Sequence, residues 1–256
     1  MPLSTVKKLE LSQAGFSLIE LAVVLVIIGI LVGGFIGTLG SRIDSSRQIE
    51  TNEALEKIKV ALYGYAMSKV NPLAVVRLPC PDVDNDGVED FNPLDLTQCE
   101  TLTGYGNLPW VTLGIERGDA WSSTYSYWVA DEYSNTAGFT LATYAGNVGA
   151  VPGSGRIMDA TGGNVLSGNV AAVIFSHGKN QFGSIGLDGT ARTPVPAGAQ
   201  YADERENTDN DAVPPVLFIS RSVTGDNAPF VFDDILVWIS EYELKGRMAQ
   251  AGVLPP

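Results

Sequence analysis

Residues 15–40 read GFSLIELAVVLVIIGILVGGFIGTLG. From Leu21 to Leu39 the stretch has no charged residue and no proline. Counted from Phe16, the apolar run is 24 residues long. At 1.5 Å per residue that is ~36 Å of helix, enough to cross a hydrocarbon core of ~30 Å. A secretory signal peptide or a simple anchor would read similarly, but two features argue against both. Glu20 places a carboxylate in the run, at ~2.5–3.5 kcal/mol if it stood at the centre of a spanning helix, so it needs a purpose. Gly29 and Gly33 form a small-xxx-small spacing that lets helices approach closely. Gly33, Gly34 and Gly37 also make a stretch that could lose helix locally. Ahead of the run lies a polar leader, Met1 to Gly15, whose Lys7 and Lys8 fit a cytoplasmic start.

The junction Gly15-Phe16-Ser17-Leu18-Ile19-Glu20 resembles the class III signal of type IV prepilins and pseudopilins. The resemblance implies that a prepilin peptidase cuts after Gly15 and that the new N-terminal Phe16 is N-methylated. It also implies that Glu20 meets a neighbouring subunit's terminal amine during filament assembly. A buried carboxylate facing an amine sets registry more than it adds stability. Many major type IV pilins carry a helix-kinking proline in this segment. Here glycines occupy it, which is closer to a pseudopilin or minor pilin. The partners implied are other pilin or pseudopilin subunits, the peptidase and an inner-membrane assembly platform. The implied location is the bacterial inner membrane, single-pass, with a periplasmic domain.

The whole chain of 256 residues has 16 Lys+Arg against 29 Asp+Glu, a formal charge of -13. Its length allows one domain or two small ones. With 45% hydrophobic and 18% charged residues it is not a disordered acidic chain. The acidic balance disfavours a nucleic-acid partner, which needs Lys and Arg to displace counterions. One His and two Cys leave no material for a His- or Cys-rich zinc or iron site.

Beyond the apolar run, Leu55, Ile58, Leu62 and Tyr65 recur at helical steps through residues 41–70, and Asn71-Pro72 reads as a stop. The expectation is one continuous helix from Phe16 to about Lys69, ~80 Å long, the alternative being a break near Gly40. Residues 71–256 read as a globular domain of short strands: Trp110–Leu113, Tyr125–Ala130, Phe139–Tyr144, Ala171–Ser176, Val216–Ser220 and Ile235–Ser240. The predicted fold class is α+β, a long N-terminal helix packed on a small antiparallel sheet, as in type IV pilin-like proteins. The Gly/Ser/Asn/Thr-rich stretch from Asp131 to Val170 reads as extra hairpins or a surface loop. Three internal segments are similar to the major type II secretion pseudopilin: Leu108 to Val129, Val173 to Gly183, and Phe232 to Trp238. Trp121, Tyr125, Tyr127 and Trp238 are expected in the core.

Two acidic constellations could hold calcium. Asp82, Asp84, Asp86, Val88 and Asp90 occupy alternate positions of a loop with Gly87 at its sixth place. Position 12 is Pro93, so a full EF-hand is rejected, and a solvated acidic turn is the other reading. Cys80 and Cys99 bracket this loop and read as a disulfide worth ~3 kcal/mol, with two free thiols as the alternative. The second constellation runs from Asp203 through Glu204, Glu206, Asn207, Asp209, Asn210 and Asp211, with Asp233 and Asp234 later. Of these, Asp209, Asp211, Asp233 and Asp234 are the expected ligands. The arrangement looks like the calcium site of the major pseudopilins, which ties the loop before the closing strand to the sheet.

No nucleophile elbow, zinc-protease, Walker or dinucleotide motif is present, and no catalytic residue is expected. His177 beside Ser176 is a weak pair, since adjacent residues rarely form a nucleophile and base. The function expected is a structural subunit of a type II secretion or type IV pilus filament. A membrane-anchored calcium-dependent adhesin is the alternative, and an anchored periplasmic hydrolase a more distant one.

Overall fold

The structure, a computed structural model, describes residues 17–68, 75–101, 104–143, 155–209, 216–224 and 229–254, leaving out the side chains at 32 and 34–39. The chain divides into two compact units, Met1–Ser45 and Ser46–Pro256.

Helix α1 (Leu18–Met67) is continuous over 50 residues. It opens on a reciprocal cap. The Ser17 amide donates to the Glu20 carboxylate at 2.9 Å, and the Glu20 amide donates to Ser17 Oγ at 3.2 Å. Gly29, Gly33 and Gly40 all stay helical, so there is no break near Gly40. Each costs ~1 kcal/mol against alanine, which the flanking helix outweighs. The described apolar side chains of the first unit stand open, Leu18 at 90% and Ile30 at 70% exposure. Among the described residues no helix is long and apolar enough to cross a membrane. Part of the expected span, 32 and 34–39, lies outside the described side chains, as do the leader, Gly15 and Phe16 and the Asn71-Pro72 stop.

In the second unit α1 buries Thr51, Leu55, Ile58, Leu62 and Ala66, one stripe at three- and four-residue steps. Tyr65, expected on that stripe, is only half-buried and is drawn aside by a hydrogen bond to Glu89.

The remaining elements are β1 (Phe91–Asn92), β2 (Asp95–Cys99), β3 (Tyr105–Asn107), α2 (Trp110–Leu113), β4 (Ser126–Val129), α3 (Asp131–Ser134), β5 (Gly155–Met158), β6 (Val165–Ser176), α4 (Ala202–Thr208), β7 (Val216–Ile219), β8 (Ile235–Ser240) and α5 (Glu241–Gln250). A six-stranded sheet runs β3-β4-β6-β5-β7, with β8 also on β6. Strand β6 pairs antiparallel with β4, β5 and β8. The sheet is not wholly antiparallel, however: β5 and β7 are parallel. A parallel pair needs a long crossover, and the chain between them supplies one through β6 and α4.

Among the described residues two expected strands are absent. Trp110–Leu113 is a helical turn, closed by Gly114 at φ 66°. Around Phe139 the chain turns because Thr143 Oγ1 accepts from the Thr140 amide and Thr140 Oγ1 from the Ala142 amide. These side chains compete with a ladder. Phe139 still reaches the core, 5.1 Å from the Tyr133 ring. Tyr144 lies outside the described residues. The 131–170 stretch contributes α3, β5 and the start of β6, with 144–154 outside the described residues.

Trp121, Tyr125 and Tyr127 are buried and Trp238 is half-buried. Helix α5, capped by Ser240 Oγ on the Glu243 amide, is held to α1 by Lys59 and Glu243 at 3.0 Å.

Candidate functional site

The most unusual chemistry in the described residues is a buried group of three carboxylates. Helix α4 brings in Glu204. Asp233 and Asp234 lie just before β8. Their carboxylate oxygens all fall within 4.8 Å of one another. Exposure is 1% for Glu204, 9% for Asp233 and 4% for Asp234. The turn after β6 fits closely here, because Gly178 takes φ 60° and sits against the Asp233 carbonyl. That turn places Asn180, whose amide donates to Asp233 Oδ2 at 2.7 Å and whose Nδ2 donates to Glu204 Oε1 at 2.7 Å. The Asp233 amide also donates to Glu204 Oε1, at 3.2 Å, and Asn207 Nδ2 donates to Asp234 Oδ2 at 2.8 Å.

Those donors leave Glu204 Oε2 buried without a hydrogen-bond partner. Burial first, and then the charge of Asp233, push the Glu204 carboxyl up to about 8. Burial likewise lifts Asp234 well above the usual carboxylate range, despite the Asn207 bond. Arg221 does not relieve the cluster in the structure; it pairs with Asp203 at 2.5 Å. Three crowded carboxylates out of water need a proton or a cation among them. An all-oxygen donor set of this charge suits a hard divalent ion, calcium above all. A cleft of about 250 Å³, lined by Gln48 and Asn52 of α1, Ser220 to Val223 and Asp234 to Leu236, leads to this side of the domain.

The expected ligand Asp209 is exposed beyond the last turn of α4, and Asp211 lies outside the described residues. Glu204 takes the place beside Asp233 and Asp234. The hint in the sequence is the spacing Glu204-x-x-Asn207, which puts both residues on one face of a helix.

The loop at 82–90 differs. Asp82, Asp84 and Asp86 also bring carboxylate oxygens within 4.8 Å of one another, but only Asp82 is buried. Its oxygens accept from the Asn85 and Gly87 amides at 2.6 and 2.9 Å. Asp84 and Asp86 accept from the Asp86 and Val88 amides, and Asp90 Oδ2 from the Val83 amide. Burial raises Asp82 to about 6, against the pull of those amides. Gly87, at φ 89°, packs under the Trp110 ring. Peptide donors thus satisfy this loop largely from within. Val88 is exposed and Asp90 half-buried. Cys80 and Cys99 are joined in a disulfide, Cα to Cα 5.3 Å.

His177 does not face Ser176. Its Nε2 lies 2.7 Å from Ser126 Oγ, while Ser176 Oγ donates to Asp119 Oδ2 at 2.5 Å. Both His177 and Ser126 are buried, and burial lowers the imidazole to about 4. This is the environment of a neutral, packed histidine.

Glu20 stands exposed at the start of α1, bonded to Ser17. Residues 11–36 match the family model described as the prokaryotic N-terminal methylation motif, the signature of type IV prepilins and pseudopilins. The match takes in Gly15, Phe16 and Glu20. No curated protein and no solved structure matches the chain. The chain therefore carries a type IV pilin-like N-terminus ahead of a mixed α/β domain.

Proposed function

We propose that the chain is a structural subunit, a pseudopilin or minor pilin, of a type II secretion or type IV pilus filament. A prepilin peptidase cuts after Gly15 and Phe16 is methylated. The segment from Phe16 to Leu39 holds the subunit in the inner membrane, domain outward, until assembly. Glu20 then meets the Phe16 amine of a neighbour. One observation carries this reading: the methylation motif runs directly into a continuous helix, Leu18–Met67, whose early apolar side chains are exposed and whose later turns are the spine of a folded domain. Exposed apolar surface of that extent needs lipid or other helices to cover it.

The same reading gives the domain a calcium ion at Glu204, Asp233 and Asp234, supported by the unpartnered Glu204 Oε2. The 82–90 loop is a second, weaker calcium position through Asp82, Asp84 and Asp86.

The test is Glu20→Ala in cells with the peptidase and assembly machinery. The variant should be cleaved after Gly15 and methylated, as mass spectrometry reads, yet fail to enter filaments. Unchanged assembly, or no cleavage of the wild-type chain, would overturn the proposal. For the metal, calorimetry should show a tighter calcium site in the wild type that is lost in Glu204→Gln, leaving at most the weaker binding of the 82–90 loop.

A further inference from the structure

Strand β7 ends the sheet order, paired with β5. Its other edge does not simply face solvent. The Ser220 amide turns inward to the Met158 carbonyl at 2.9 Å, so by alternation the Ile219 amide and carbonyl both point away from β5. Asn207 meets them. Its Oδ1 accepts from the Ile219 amide at 2.6 Å and its Nδ2 donates to the Ile219 carbonyl at 3.2 Å. That two-point pairing is what a neighbouring strand would offer. The second N–H of the same amide goes to Asp234 Oδ2 at 2.8 Å, and Asn207 is fully buried. One carboxamide thus has both donors and its acceptor committed, between a sheet edge and the acidic centre.

We propose that Asn207 is a positioning residue that couples cation occupancy at Glu204, Asp233 and Asp234 to closure of the β7 edge; this rests on the calcium reading above. Helix α4 has only seven residues, too few to be stable alone, so its side-chain ties decide where it sits. Asp203 ties it to Thr161 and Arg221, Glu204 to the acidic centre, and Asn207 to β7. A cation drawing Glu204 and Asp234 together holds α4 with Asn207 on Ile219. Without it nothing draws Glu204 and Asp234 together, Asp234 is no longer a fixed acceptor, and the clamp on the edge loosens.

The test is amide exchange at Ile219, read on the full chain in detergent micelles with calcium or with chelator. In the wild type calcium should slow exchange at Ile219 by about tenfold or more. In Asn207→Ala calcium should still bind by calorimetry, more weakly, while exchange at Ile219 stays fast whether or not calcium is present. In Glu204→Gln, with Asn207 intact, Ile219 should exchange at the chelated rate in both conditions. Calcium binding to the wild type without any change at Ile219 overturns the coupling and leaves the metal site standing, as does calcium-dependent protection that survives in Asn207→Ala. Absence of calcium binding to the wild type overturns both.

Discussion

Arg77 and Glu89 form a two-pronged ion pair inside the domain, Nη1 to Oε2 at 2.7 Å and Nη2 to Oε1 at 2.8 Å, with the arginine wholly buried. Tyr65 of α1 completes the group. Its hydroxyl donates to Glu89 Oε1 at 2.6 Å and accepts from Arg77 Nη2 at 2.8 Å. The Cys80 amide donates to Glu89 Oε2 at 3.1 Å. Glu89 belongs to the acidic loop, so this group fastens that loop and its disulfide to the helix.

Removing one member of a buried pair strands the other, at about 3–5 kcal/mol. Glu89→Ala should therefore lower the unfolding free energy by about that amount, and Tyr65→Phe by about 1 kcal/mol. The double variant Arg77→Met/Glu89→Leu should recover most of the loss, because it leaves no buried charge. Denaturant melts of the three variants check this; a Glu89→Ala protein as stable as the wild type would show that the pair is not what holds the loop.

The Cys80–Cys99 bridge closes a loop with a sequence separation of 19. Such a closure restricts the unfolded chain by about 3 kcal/mol. Cys80→Ser/Cys99→Ser should lose roughly that stability, and a reductant should lower the wild-type melting temperature while leaving the double variant unchanged.

The first fifty residues of the folded chain could be read because their signals are local. An unbroken apolar run and the Leu55, Ile58, Leu62 period each act within a few turns of helix. Helix α5 is not among the expected elements, although Ser240-x-x-Glu243, a cap ahead of a helix-forming stretch, is an equally local signal. Trp110–Leu113, expected as a strand, is a helical turn; four residues are too few to show a decisive period. The β5–β7 pairing is a long-range choice that no spacing encodes. The acidic centre lies between these cases. Asp233 and Asp234 stand out as a pair, but selection of Glu204 over Asp209 depends on where α4 ends, and the importance of Asn207 depends on where β7 lies. Both are tertiary facts.

Gly178 offers a direct probe of the acidic centre. At φ 60° it adopts a conformation costing an L-residue about 1–2 kcal/mol, and an added Cβ would run into the carbonyl and carboxyl of Asp233. Gly178→Ala should lower the melting temperature and weaken calcium binding together. Gly189→Ala is the control: φ is 81°, but the Cβ would meet only Asn85 Nδ2, at 3.6 Å. It should cost stability alone. Equal effects of the two variants on calcium calorimetry would separate Gly178 from the site.

The chain's one histidine makes a pH prediction cleanly testable. Burial lowers the His177 imidazole from 6.5 to about 4. Between those values the unfolded chain binds a proton that the native protein refuses, so stability falls as pH drops from 6.5 toward 4. Above 6.5 the contribution is fully present. Its loss amounts to about 3 kcal/mol once the lower value is passed. His177→Gln has no such proton to take up, so its stability should fall less steeply over this window, while the carboxylates contribute equally to both proteins. The single imidazole resonance gives a second reading, and it should keep its neutral shift until about pH 4. Parallel stability profiles for the two proteins, or an imidazole that titrates near 6.5, would mean that His177 is not packed against Ser126 and Phe175 as described.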